Sequence, residues 1–353
     1  MNFVVLNSSK NWGGNERWLT TAVNGLAERG HTINLIIRKN VSHWEKIHPS
    51  INLVEAPFTN ELSIKTKSII KELIDSKTDI LLSTKRKDYI LAAQIKYSNQ
   101  ITHIMRLGIS RPILKRDFIQ RYVLSHMVDG IIVNAEALKS ELLKYDFIHK
   151  NIHIDKIKCI YNGYVLSSSK KEQNINKVSS FCIRSAGRLT THKGYDMLLK
   201  SLKNLREDFY LEIAGDGPEY SALNSMIKKN NLQKKCKLVG DMKNTIDFFA
   251  GADLIVIPSR SEGIPNTLFE AWSVKKPVIA TNVGGVSEVV DHKKDGLICE
   301  PSVDSIYATI SDYIKKQEDY NRLGESGYKK LNDSFSMDRM IDNLENYFDI
   351  FID

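Results

Sequence analysis

The stretch from Leu254 to Asn282 limits the possible folds of this chain more than any other. Leu254 to Ile257 has the length and β-branched content of a buried strand, and it breaks at Pro258 into a loop carrying Glu262, Gly263 and Pro265. Thr267, followed three residues later by Glu270, has the spacing of a capping box, and Leu268, Phe269, Ala271 and Trp272 supply the apolar positions of a helix. Pro277 to Ala280 then resumes sheet character. A strand, helix and strand in such short order imply a parallel pair. The loop–helix junction falls at the carboxyl end of a strand, where open α/β sheets hold ligands and where free amides and the helix dipole favour an anion.

The alternation runs through the whole chain. Strands are expected at Phe3 to Leu6, Thr32 to Ile37, Ile51 to Glu55, Ile80 to Ser83, Ile101 to Met105 and Gly130 to Val133, with helices at about 16–29, 61–75, 87–97, 113–127 and 135–145. Ser167 to Ser180 is polar and without periodicity, so residues 166–180 read as a linker between two domains, as 353 residues suggest. Strands follow at Phe181 to Ala186, Tyr210 to Ala214 and Lys237 to Val239; helices are expected at Ser302 to Lys316, Gln317 to Leu331 and Met337 to Phe351. The fold class is therefore α/β, with two doubly wound parallel sheets.

Composition narrows the partners. The net charge is +9 over residues 1–165 and −1 over residues 166–353. Lys85-Arg86-Lys87 and the segment with Arg111, Lys115, Arg116 and Arg121 concentrate it, with Ile113, Leu114, Phe118 and Ile119 interleaved. Such runs are solvated faces, or surfaces for an anionic acceptor or anionic lipid. A nucleic-acid module lacks a reading helix or a basic-aromatic sheet here. Cys159, Cys182, Cys236 and Cys299 are too far apart for a Cys-x-x-Cys zinc site and read as buried thiols. The first residues, a short strand and then a Gly loop, lack the pattern of a signal peptide, which sets the expectation of a cytoplasmic protein.

The candidate chemistry gathers at strand ends. Gly187-Arg188-Leu189 closes one strand, and Lys193-Gly194 opens the next helix, so a planar fork and a point charge stand where a diphosphate could be gripped. Gly13 and Gly14 follow the first strand, either as a tight turn or to let amides approach a phosphate or sugar, and the G-x-G-x-x-G spacing of a dinucleotide enzyme is absent. Arg106 and Gly108 lie after another strand, while His103 within that strand reads as a satisfied core histidine. Asn134 is placed to cap a helix, and Asn162-Gly163 to form a turn. Glu262 and Glu270, taken alone, could be a loop carboxylate and a helix cap.

Together, the Glu262/Glu270 pair, the Gly-Arg-Leu and Lys-Gly pattern at 187–194, Gly13-Gly14 and Asn162-Gly163 resemble the retaining nucleotide-sugar transferases of glycosyltransferase family 4. The resemblance spans the chain, densest from Ile183 to Asp295. It implies a GT-B fold, two Rossmann-like domains facing each other across a cleft. Residues 1–165, completed by helix 337–353, would bind the acceptor, and residues 181–336 the nucleotide sugar. It implies that Arg188 and Lys193 hold the diphosphate, Glu262 the transferred sugar and Glu270 the ribose. Gly187, Ile264, Pro265, Asn266, Thr267 and Leu268 would line the donor, with the base near Val239, Gly240 and Met242. Many relatives carry a His in the loop where Arg106-Leu107-Gly108 stands here, so this chain departs from that pattern, and Arg106 and Gly108 are acceptor-side candidates.

The implied activity is a metal-independent retaining hexosyl- or heptosyltransferase, acting on a glycan or lipid-linked acceptor in cell-surface polysaccharide or lipopolysaccharide synthesis. No cofactor, metal or nucleic acid is expected, and no Asp-x-Asp occurs in the chain. An anionic membrane surface, the inner face of the cell membrane, is the expected further partner. A non-catalytic GT-B-fold protein that binds anionic lipid or polysaccharide is the alternative.

Overall fold

The computed structural model describes residues 1–41, 44, 46–108, 117–165, 181–242, 244–320 and 322–352. The expected linker 166–180 and the basic residues Arg111, Lys115 and Arg116 lie outside these. The chain divides into two compact units, Met1–Val165 with Phe335–Asp353, and Leu166–Ser334.

In the first unit seven parallel strands, β1 (Asn2–Asn7), β2 (Thr32–Arg38), β3 (Asn52–Ala56), β4 (Ile80–Ser83), β5 (Thr102–Leu107), β6 (Gly130–Val133) and β7 (Ile157–Cys159), lie in the order 3-2-1-4-5-6-7. Val5 of β1 faces Leu35 of β2 on one side and Leu82 of β4 on the other. Helices cover both faces, which is why β4 and β6 are buried at every residue and carry no polar alternation. On one face the helix Gly14–Glu28 packs beside the final helix Met337–Asp349, which Ser336 starts by accepting a hydrogen bond from the Arg339 amide at 3.3 Å. Phe3 meets Phe348 edge-on at 5.1 Å, and a Cβ on Gly25 would come within 2.6 Å of Ile341, so only glycine lets these helices approach. Tyr347 closes the seam by donating to the Lys156 carbonyl at 2.6 Å.

The second unit has six parallel strands, β8 (Phe181–Ala186), β9 (Phe209–Ala214), β10 (Cys236–Gly240), β11 (Leu254–Ile257), β12 (Val278–Thr281) and β13 (Leu297–Cys299), ordered 10-9-8-11-12-13. Ile183, Leu198, Leu202, Ile213, Val256 and Ile306 form its core. Both sheets reverse direction of growth once, between β1 and β4 and between β8 and β11. Chains leaving those neighbours diverge to opposite faces, which opens a crevice at the carboxyl ends.

Three local readings of the sequence are corrected. The helix after β11 runs Asn266–Ser273 with Pro265 as N-cap and no side-chain cap, so Thr267 and Glu270 form no capping box. Asn134 does not cap either: Ala135 is the N-cap of Glu136–Leu142, and Asn134 is buried with an unpartnered Oδ1. The single helix expected from Gln317 to Leu331 is two, Gln317–Tyr320 and Leu323–Ser334. Tyr320 turns back to stack on Tyr313 and donates to Asp312 at 2.8 Å, while Gly324 packs directly against the Lys275 carbonyl, where a Cβ would lie at 1.9 Å. Strands β7 and β13 were not anticipated; both are three-residue edge strands, too short for a periodic signal. Cys182, Cys236 and Cys299 are buried free thiols and Cys159 is half-buried. No helix among the described residues is long and apolar enough to cross a membrane.

Candidate active site

The carboxyl ends of β8 and β11 bring the two halves of the second-unit pattern together. β8 is followed by Gly187 and Arg188, and a 3₁₀ turn, Thr191–Lys193, leads to the helix Tyr195–Leu202. β11 is followed by Pro258 and Ser259. The two loops are bonded directly, the Arg260 amide donating to the His192 carbonyl at 2.7 Å and the Arg260 guanidinium forking onto Asp196 at 2.6 and 2.8 Å. That pairing holds the Asp196 carboxyl down at about 2. Gly194, at φ +71°, makes the approach possible, since a Cβ there would fall 1.9 Å from the Pro258 carbonyl oxygen.

This clamp places Lys193 against Glu262, Nζ to Oε1. Ser259 donates to the same carboxylate oxygen at 2.9 Å. The Glu262 loop is fixed from its other side by the Gly284-Gly285 turn: Gly285 donates to the Gly263 carbonyl at 2.8 Å, and Gly284, at φ +57°, packs where a Cβ would sit 1.8 Å from the Glu262 carbonyl. Tyr195 is buried beneath, its hydroxyl 2.8 Å from the Cβ position of Gly187; burial first, and then Glu262, push its ionisation far up, so it stays a neutral donor. Arg188 is exposed, with no partner for its guanidinium among the described residues.

Glu270 lies one turn into the helix Asn266–Ser273, buried, and accepts from the Thr245 hydroxyl at 2.8 Å. Ile264, Pro265 and Leu268 are buried around the helix start, with Asn266 and Thr267 half-buried. With no side-chain cap, that end presents backbone N–H groups. Gly240, at φ +80°, ends β10 with open space where a Cβ would be, and its carbonyl accepts from the Gly215 amide at 2.7 Å. Met242 beyond it is exposed. Among the described residues no group of three His, Cys, Asp or Glu could hold a metal ion.

The first-unit candidates form a separate polar chain. Gly13 is the N-cap of Gly14–Glu28, and Glu16 in that first turn is buried beside Lys85, 2.9 Å away. Burial opposes the Glu16 charge, yet Lys85, Asn15 and Asn7 outweigh it and hold the carboxyl below its ordinary value. Arg106 is buried over the Trp18 ring at 4.3 Å; it donates to Asn15 and, at 3.2 Å, to Asn162, leaving Nε unpartnered. Burial lowers its pKa to about 10, so it stays charged at neutral pH. A Cβ on Gly108 would meet the Arg106 guanidinium at 2.5 Å. His103 is a satisfied core residue, Nε2 on the Ser83 hydroxyl and Nδ1 on the Met127 carbonyl, both at 2.7 Å, with burial pushing it down to about 4.

Sequence reasoning missed Ser259, Thr245 and Tyr195. Each is a common residue whose only distinction is the carboxylate or glycine it faces, and spacing carries no trace of that.

Two parallel-sheet α/β units of seven and six strands, with these strand orders, match the GT-B fold. HepE of Anabaena, solved in complex with UDP-glucose, superposes with a TM-score of 0.83 at 18% identity, over 99% of this chain and 100% of that one. The model of the glycosyl transferases group 1 family matches residues 167–330. An uncharacterized glycosyltransferase of Methanocaldococcus jannaschii is 30% identical over 87% of this chain and 83% of its own length. The lipopolysaccharide core biosynthesis glycosyltransferase LpsD of Rhizobium meliloti is 26% identical over 96% of this chain and 95% of its own. The chain belongs to the group 1 glycosyltransferases.

Proposed function

We propose that this protein is a metal-independent retaining hexosyl- or heptosyltransferase that moves a sugar from a nucleotide-diphosphate donor to a glycan or lipid-linked acceptor. Cell-surface polysaccharide or lipopolysaccharide synthesis is the process it serves, the reading that similarity to LpsD supports. The observation that carries the proposal is the Lys193–Glu262 pair, held between the carboxyl ends of β8 and β11 within a clamp of backbone bonds.

In this reading Lys193 exchanges its internal partner for the donor diphosphate when the nucleotide sugar binds. Glu262, released from Lys193 but still held by Ser259, turns to the sugar hydroxyls. Arg188, exposed and without a partner among the described residues, closes on the same phosphates. These two cations and the amides of the Asn266 helix start stabilise charge as it develops on the leaving diphosphate, the role a metal ion fills in other transferases. Glu270, fixed by Thr245, accepts from the ribose hydroxyls, and the open space at Gly240 admits the base to backbone atoms. Retention follows if the acceptor attacks from the face of the departing phosphate, which takes the acceptor proton; no carboxylate is assigned as a nucleophile. Arg106 acts as a positioning residue, tying Asn15, next to Gly13 and Gly14, to Asn162. Peripheral attachment at the inner membrane face is supported by exposed Phe118, Ile119 and Tyr122 beside Arg121.

Nucleotide release from a panel of UDP-, GDP- and ADP-sugars, with and without chelator, tests the assignment. Turnover that survives chelation and gives an α-linked product from an α-linked donor is expected. Activity lost on chelation and restored by manganese overturns metal independence, and a β-linked product overturns retention.

A further inference from the structure

A cleft of about 340 Å³ opens at the carboxyl ends of β1, β2 and β4, lined by Ser8, Lys10, Arg38 and the run Lys85-Arg86-Lys87. It stands at the strand-order reversal of the first sheet, where a doubly wound sheet takes its ligand. What distinguishes it is charge without counter-charge. Lys85 is neutralised by Glu16, and Arg86 by Glu61 and Asp117. The other three cations have no carboxylate partner among the described residues. Arg38 is spread over three neutral carbonyls, Ser8 at 2.9 Å, Pro57 at 3.4 Å and Phe58 at 2.8 Å. Lys87 donates to the Thr59 carbonyl at 3.1 Å, and Lys10 is exposed. Carbonyls fix Arg38 and Lys87 in place without cancelling their charge.

The backbone adds to the field. Lys85 is the N-cap of the fourteen-residue helix Arg86–Asn99, which has no side-chain cap. Its first-turn carboxyl, Asp88, is turned elsewhere, accepting from the Ser8 amide at 3.0 Å and the Thr84 hydroxyl at 3.3 Å. Asp88 thereby pins the Ser8–Lys10 loop against the cleft and leaves the helix start open. Three uncompensated cations are more than one carboxylate would neutralise. A phosphate offers up to two charges and several acceptor oxygens to donors arriving from different directions.

We propose that this cleft is a phosphate-binding subsite, and that the phosphate it takes is a monoester or diester carried by the sugar acceptor. Assigning the phosphate to an acceptor rests on the transferase reading; the anion site itself stands without it. The source is either a lipid headgroup or a soluble sugar phosphate, and both present the same chemistry.

The test titrates inorganic phosphate by calorimetry into the full chain saturated with UDP, so that the donor site is filled. Saturable binding is expected, weakened about tenfold or more by Lys10→Glu with Lys87→Glu, and less by the paired Gln substitutions, with UDP affinity unchanged as the measure of an intact fold. Absence of saturable binding, or equal affinity in all variants, overturns the subsite. Should none of UDP, GDP and ADP bind, the nucleotide-sugar reading fails on its own, and the phosphate titration, run then on Lys193→Ala, still decides the cleft. Vesicles of phosphatidic acid against phosphatidylcholine, with glycerol 3-phosphate as competitor, separate the sources. Retention on the acidic vesicles that the competitor removes identifies a lipid phosphate; competitor binding without retention identifies a soluble one.

Discussion

The carboxyl edges of the two sheets use their cations differently. In the second unit Lys193 is closed on Glu262 and Arg260 on Asp196. In the first unit Lys85 and Arg86 are paired with carboxylates, but among the described residues Lys10, Arg38 and Lys87 meet only carbonyls or solvent. Ion pairing keeps a reactive cation ordered and lets a ligand exchange places with its partner, so the cost of desolvating a free charge does not arise. Uncompensated charge instead raises the local potential and draws an anion in from a distance. One edge is therefore built to rearrange around its ligand, the other to attract.

Removing Lys193 should break that contrast most severely. Lys193→Ala, and likewise Arg188→Ala, is expected to lower turnover by on the order of 10²-fold or more, measured as nucleotide release, by analogy with loss of one preorganised donor. Normal rates in both would show that the second edge does not grip a diphosphate.

A pH experiment sharpens the comparison from inside the first unit. His103, depressed by burial to about 4, leaves the unfolded chain binding the proton first as pH falls, so its share of stability is present above the ordinary histidine value and lost between about 6.5 and 4. Asp88, raised by burial to about 7, runs the other way, adding stability at low pH that is lost as pH rises towards 7. Each is worth on the order of 3 kcal/mol across its window. Urea unfolding between pH 4.5 and 7 should therefore show His103→Asn becoming relatively more stable on acidification and Asp88→Asn relatively less. Parallel slopes in the two variants would refute both assignments.

Gly284→Ala should cost about 2 kcal/mol or more in unfolding free energy, because its φ of +57° and the Glu262 carbonyl both exclude a Cβ. An unchanged urea midpoint would count against the close approach. Smallest is Thr245→Val, which removes one hydrogen bond to Glu270 worth about 1 kcal/mol. Roughly a fivefold rise in donor KM with little change in kcat is expected; a fall in kcat alone would place Glu270 outside ribose binding.

Most of the sheet was legible. Ile80–Ser83, Gly130–Val133, Phe181–Ala186 and Leu254–Ile257 were read at the bounds the structure has; all but Phe181–Ala186 are fully buried parallel strands, which announce themselves as short runs between turn residues. Caps were less legible. Thr267 and Glu270 have the spacing of a reciprocal cap, but Glu270 turns instead to a hydroxyl 25 residues earlier in the chain.

The sequence by itself determined two doubly wound units and named Lys193, Glu262 and Glu270, because strand periodicity and motif spacing are local properties of the chain. Tertiary structure alone decided that Lys193 closes on Glu262, that Ser259 and Thr245 hold the carboxylates and Gly284 packs on the Glu262 backbone, and that Lys10, Arg38 and Lys87 share one cleft. Those pairings join residues from 3 to 77 positions apart. Only the parallel register, which brings the carboxyl ends of non-consecutive strands side by side, sets which loop a given side chain meets.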